Sequence, residues 1–208
     1  IIHFAHDGMI IDGWSHENIV YMLEKLYQGE ELPQSLSFYD YAQMVKELKN
    51  SESFQEDKEY WLKKATNFPD PPDLPLLEED SQAAEAEQIV RKISTDSYKR
   101  VTEFARKHHV TQFAVILTLF GKSLERYCRN SEYLINIPIA FRPSDDERIQ
   151  YTIGECSDFL FFAFENRNET IAKTIERVND NLLDDMDCMT FAGTDLIKAF
   201  QLEYGRNL

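Results

Sequence analysis

Asp7-Gly8-Met9-Ile10-Ile11-Asp12-Gly13-Trp14-Ser15 is the stretch on which the reading of this chain turns. Ile1-Ile2-His3-Phe4-Ala5 precedes it and reads as a buried strand. Carboxylates at the end of an apolar strand are costly to desolvate, so Asp7 and Asp12 need partners or a purpose. As a pair they are candidates for general acid and base, because neighbouring carboxylates split each other's pKa. The competing reading, a salt bridge that fixes the turn, is preferred. Gly13 suits a tight turn or a close approach of backbone or ligand. Trp14 reads as a core anchor. Ser15 reads as a helix N-cap, with Asn18 at the capping-box position, and not as a nucleophile, since no GxSxG elbow surrounds it.

From that cap outward, Ile19, Met22, Leu23 and Leu26 recur at helical spacing, which predicts a helix to Gln28 that stops at Gly29. Further helices are expected over 38–48 and 54–65. Residues 67–88 carry Pro69, Pro71, Pro72 and Pro75 and then an acidic run, which reads as a solvated linker with a boundary near residue 85. Beyond it, strands are expected over 88–93, 133–140 and 158–164. Helices are expected over 96–108, 168–183 and 194–204. Another follows Thr111, with Phe113, Ile116, Leu117, Phe120 and Leu124 as its packed stripe. The 158–164 run is nearly all apolar, so both of its faces should be buried. Such alternation implies an α/β protein, a sheet layered with helices in an α+β sandwich.

His3 and His6 read as strand-end histidines satisfied by hydrogen bonds, and no set of ligands has the spacing of a metal site. A net charge of -15 argues against nucleic acid and anionic membrane as partners. Cys128, Cys156 and Cys188 lack zinc or redox spacing, which reads as reduced thiols in a cytoplasm. No apolar run is long enough to span a bilayer, and no signal peptide is evident. The chain opens inside an apolar strand and ends abruptly, so a fragment of a longer polypeptide is expected.

Asp7-x4-Asp12-x2-Ser15 resembles the DxxxxDxxS motif of heterocyclization domains of nonribosomal peptide synthetases. Those domains are variants of condensation domains, whose own motif is HHxxxDG. Aligned on Asp12-Gly13, the two condensation histidines fall on Asp7 and Gly8, which places this chain on the heterocyclization side. Other stretches resemble the family in the family's order. Leu32-Pro33 through Tyr39-Asp40-Tyr41-Ala42 is similar to LPxxxxxYxDYA, and Tyr60-Trp61-Leu62 with Phe68 to Leu76 to YW…LPxxPxLPL. Asn136 to Pro143 resembles the strand ending in NRxP, with Phe141 for Asn and Arg142 kept. Ile153 to Phe159 is a degraded VGDFTS, and Asp184 to Gly193 resembles DLDHxxxSG, with Cys188 in place of His.

The resemblance implies a chloramphenicol-acetyltransferase-like fold of two lobes, incomplete here, with 1–85 in the N-terminal lobe and 86–208 in the C-terminal lobe. It implies an ion pair between Asp12 and Arg142, and a substrate tunnel shaped by Asp7, Gly8, Gly13 and Trp14. Asp7, Asp12 and Ser15 would be structural, and the groups implicated in cyclodehydration would lie beyond residue 208. The parent domain would join a carrier-bound acyl group to Cys, Ser or Thr and close the side chain to a thiazoline or oxazoline. Substrates would arrive on the phosphopantetheine of carrier domains beside an adenylation domain, with no cofactor, metal or nucleotide bound directly. Arg106, Lys107, His108 and His109 either serve a helix dipole, the preferred reading, or meet an acidic carrier. Cys188 reads as a small loop residue. An ordinary condensation domain of the same fold is one rival. A noncatalytic carrier-docking domain is the other, supported by the departures at Phe141, Cys156 and Cys188.

Overall fold

Short polar side chains start most of the helices by accepting otherwise orphaned backbone N–H groups. Asp12 opens α1 (Gly13–Gln28), Ser37 α2 (Phe38–Leu48) and Ser51 α3 (Glu52–Ala65). Ser94 opens α4 (Thr95–His108) and Thr111 α5 (Gln112–Leu124). At α2 the cap is reciprocal, since Asp40 also accepts from the Ser37 N–H. Gly29 ends α1 with φ 74, a left-handed conformation that glycine adopts without strain. Then follow β1 (Glu132–Ala140), a 3-10 turn (Glu147–Tyr151), β2 (Ser157–Glu165), α6 (Ile171–Asp187) and α7 (Gly193–Tyr204). The computed structural model describes residues 3–75, 89–191 and 193–205. Among them no helix is long and apolar enough to cross a membrane.

β1 and β2 pair with each other. Phe141 N–H donates to Cys156 O at 2.8 Å, and Asn166 N–H donates to Ser131 O at 3.0 Å, so the strands run antiparallel. In β2 the consecutive residues Leu160, Phe161 and Phe162 are all buried, so both faces are covered.

The chain divides into two compact units, neither continuous in sequence. Unit 1 takes Ile1–Asn67, Asn136–Phe161 and Cys188–Leu208. Unit 2 takes Phe68–Ile135 and Phe162–Asp187. These units do not coincide with the consecutive pieces 1–85 and 86–208, whose boundary lies outside the described residues.

In unit 1, Tyr41, Ile149 and Cys156 form a core cluster with Leu36, Met44 and Val45. The Trp61 indole N–H donates to Cys188 O at 2.7 Å, and buried Asp57 accepts from the Thr190 N–H at 2.9 Å. Unit 2 packs α4, α5 and α6 around Ala105, Val115 and Ile175. The Tyr133 hydroxyl donates to Gly121 O, and a Cβ at Gly121 would lie 2.4 Å from the buried Phe164 ring.

Four sequence expectations are corrected. His3–Ala5 form no strand and are exposed; Ile1 and Ile2 lie outside the described residues. Ile89–Ile93 form no strand, and Gln88 and the acidic run likewise lie outside. Both segments have strand-like composition, but a strand exists only where another pairs with it, and neither has such a partner among the described residues. Helix α1 begins at Gly13 with Asp12 as its cap, so Ser15 lies inside the first turn. On α5 the face that packs is Ala114, Val115, Leu117, Thr118 and Gly121, whereas Phe113, Ile116 and Phe120 are exposed. That helix is apolar almost all round, and its small residues select the side that admits the Phe164 ring.

Candidate functional site

The Asp12 carboxylate sits at the start of α1 in unit 1, 5% exposed, and receives four donors. Oδ1 accepts from the Ser15 N–H at 2.6 Å, which is the helix cap, and from Arg142 Nη2 at 3.3 Å. Oδ2 accepts from Arg142 Nη1 at 3.2 Å and from the Cys156 N–H at 3.2 Å. Burial alone would push this carboxyl up. Hydrogen bonds from Ser15 and Arg142, with the guanidinium charge, outweigh it and hold the group below its ordinary value. Asp12 is therefore ionised and committed on both oxygens.

Ser15 is fully buried beneath it. Its hydroxyl faces Gly154 O at 2.9 Å and Thr152 O at 3.3 Å as acceptors, and accepts from the Gly154 N–H at 3.1 Å and Arg142 Nη2 at 3.3 Å. The Asp12 N–H donates to Gly154 O at 3.1 Å. The D-x-x-S spacing thus has a physical account: one turn of helix puts cap and hydroxyl on the same guanidinium, and both stitch α1 to residues 152–156. A Cβ at Gly154 would lie 2.1 Å from the Phe38 ring, so a larger residue there would push this segment or the ring away. Arg142 Nε is buried without a partner. The network's neighbours are Tyr41, whose hydroxyl donates to Phe141 O at 3.0 Å, and Cys156. Burial pushes the Cys156 thiol up to about 11 and raises Tyr41 as well, so both stay neutral near pH 7, and Cys156 is no nucleophile.

The other end of the motif is exposed. Asp7 Oδ1 accepts from the Met9 N–H at 2.8 Å, and its backbone oxygen accepts from the Ile10 and Ile11 N–H groups, which closes a turn. Its side chain makes no bond to Asp12, so the two carboxylates do not form a shared acid–base pair. Gly8 and Gly13 are exposed, and a Cβ at either would meet nothing within 4 Å. Neither a tight turn nor a close backbone approach among the described residues explains Gly13.

Trp14 is 49% exposed, which corrects the core-anchor reading. Its indole N–H donates to Gln150 O at 2.9 Å, and the Arg142 guanidinium lies 6.0 Å from the ring centroid. The exposed His3 has no hydrogen bond among the described residues, whereas His6 Nε2 lies 2.9 Å from His16 Nδ1. In unit 2, His108 is paired with Glu176 at 3.0 Å and stacked on Phe104.

Sequence reading missed Thr152, Gly154 and Tyr41 as members of the network. It also missed a cavity of about 180 Å³ in unit 1, whose lining includes Tyr41, Val45, Phe141, Asp158, Thr190 and Lys198. Tyr41 and Gly154 lie in stretches that resemble family motifs, but residue order does not say that they meet Asp12, because long-range packing places them there.

The family model of the condensation domain matches residues 4–203, and the chain belongs to that family. Pyochelin synthetase PchF of Pseudomonas aeruginosa is 21% identical over 211 residues, covering 99% of this chain and 12% of that protein. The EpoB NRPS cyclization-docking bidomain from Sorangium cellulosum superposes with a TM-score of 0.77 at 20% identity, over 94% of this chain and 41% of that one. The first condensation domain of the CDA synthetase gives a TM-score of 0.71 at 18% identity, over 92% and 44%. The fold is therefore that of condensation domains of nonribosomal peptide synthetases, and the chain spans less than half of either solved chain.

Proposed function

We propose that this chain is part of a heterocyclization domain of a nonribosomal peptide synthetase. The parent joins an acyl group to carrier-bound Cys, Ser or Thr, then closes the side chain onto the new amide with loss of water. The observation that carries the reading is the motif itself. Asp7 and Gly8 stand where a condensation domain has its two histidines, while Asp12 and Ser15 keep the scaffold. Likeness to a cyclization bidomain supports it. In this reading the bond from Asp12 to Arg142 fixes the first turn of α1, so that Asp7, Gly8, Gly13 and Trp14 shape the tunnel. Positioning then supplies much of the rate, since both reactants arrive tethered to phosphopantetheine on carrier domains. Carrier and adenylation domains are the partners, in a cytoplasm.

An ordinary condensation domain is the second reading, favoured by the fold it shares with the CDA synthetase domain. One experiment separates the two. The polypeptide that carries this sequence is given loaded upstream and downstream carriers, and the product on the downstream carrier is weighed by mass spectrometry. Heterocyclization gives a product lighter by one water than the simple amide. An amide that keeps its water overturns the reading in favour of condensation, and carrier binding without product overturns it in favour of docking alone.

A further inference from the structure

The Pro-rich part of the linker, residues 68–75, is tied to the start of β1 within unit 2. The Leu134 N–H donates to Asp70 O at 3.1 Å, and the Arg129 N–H donates to Asp73 O at 3.2 Å. Asn130 joins the two stretches through its side chain. Its Oδ1 accepts from the Asp73 N–H at 3.0 Å, and its Nδ2 donates to Pro71 O at 3.1 Å and to Glu132 O at 2.8 Å. The bond from the Asn166 N–H to Ser131 O turns the Ser131 backbone toward β2. Backbone groups alternate between the two edges along a strand, so Glu132 and Leu134 turn theirs to the opposite edge. No strand pairs with that edge among the described residues.

We propose that residues 68–75 are a strap that closes the outer edge of β1 against pairing with a second copy of this chain, and that Asn130 holds it shut. An edge strand with open N–H and C=O groups is a template for a further strand. Here the strap takes the Leu134 N–H and Asn130 takes Glu132 O, so the template is occupied where it begins. Pro138 lies four residues further along β1, at the same parity as Leu134, and has no N–H to offer.

The strap does not become a template in its turn. Four of its eight residues, Pro69, Pro71, Pro72 and Pro75, have no N–H. The Asp73 N–H is used by Asn130, and the Leu74 N–H donates to Pro72 O at 2.9 Å. Asp70 and Asp73 are exposed, so two copies meeting at the closed strap would also bring like charges together. With the strap released, the partner that fits is the same edge of a second copy. Antiparallel pairing about a two-fold axis matches the N–H and C=O groups of 132–136 with each other.

The test uses the polypeptide that carries this sequence, with Asn130→Ala and Asn130→Asp beside the wild type. Asn130→Ala removes all three side-chain bonds, whereas Asn130→Asp keeps only the one from the Asp73 N–H. Deuterium exchange over 132–136, read by mass spectrometry, should quicken by ~10-fold or more in Asn130→Ala and by less in Asn130→Asp. Light scattering should show a mass that rises with concentration for Asn130→Ala beyond the wild type. Adding Leu134→Pro, which removes the freed donor from the edge, should restore the wild-type mass. Exchange at the wild-type rate in Asn130→Ala overturns the role of Asn130. Faster exchange with an unchanged mass overturns the guarding of the edge, and association that survives Leu134→Pro overturns its assignment to β1. If Asn130→Ala unfolds unit 2, exchange quickens throughout 95–124 as well, and Asn130→Asp then carries the same comparison.

Discussion

Asp7 and Asp12 are the same side chain five residues apart in one motif, yet they stand in opposite environments. Asp12 is buried, bonded to Arg142 and used up by the fold. Asp7 is exposed and makes one local bond that shapes its own turn. The difference lies in what each faces: residues 142–156 supply Asp12 with a guanidinium and a backbone N–H, and nothing comparable among the described residues reaches Asp7. A motif drawn as one string of letters thus contains a structural half, Asp12 to Ser15, and an accessible half, His6 to Ile11.

The contrast can be broken most severely from the arginine side. Arg142→Leu strands the Asp12 carboxylate without its counter-charge and should cost about 3–5 kcal/mol, read by denaturant unfolding. Replacing Asp12 and Arg142 together by apolar residues should cost clearly less than the sum of the two single changes, because no lone charge is left buried.

Acid should weaken the same half. The folded carboxyl of Asp12 is held below its unfolded value of about 3.9, so its contribution is present above that pH and is lost as pH falls through the folded value. Asp12→Asn should therefore flatten part of the loss of stability below about pH 4, measured by thermal unfolding across pH. A smaller effect is expected at Trp14→Phe. That change keeps the exposed ring and removes the N–H bond to Gln150 O, and should cost about 0.5–1.5 kcal/mol by the same unfolding measurement.

Sequence alone carried the structural half a long way. Resemblance set Arg142 against Asp12 although they lie 130 positions apart, and the structure has them 3.2 Å apart. The helix start was misplaced because a three-residue spacing fits both Asp12–Ser15 and Ser15–Asn18 as cap and partner. Only the buried contacts of Ser15 with Arg142 and Gly154 tell the two apart. Trp14 was misjudged because size and apolarity say that a ring prefers cover, not whether the chain provides it. The α5 face was lost for a related reason: a helix apolar all round has no periodicity to reveal which side packs. Segments 3–5 and 89–93 failed as strands because pairing belongs to the partner strand and leaves no mark on the local pattern. Nothing in residue order suggests that His6 and His16 meet, since the turn between them decides it.

The division of labour within the motif is tested most directly by unfolding Asp12→Ala and Asp7→Ala side by side under identical denaturant conditions. Asp12→Ala should lose about 3–5 kcal/mol by leaving Arg142 buried and unpaired, while Asp7→Ala should stay within about 0.5 kcal/mol of the parent. Equal losses, or a stable Asp12→Ala protein with an unchanged midpoint, would contradict the account.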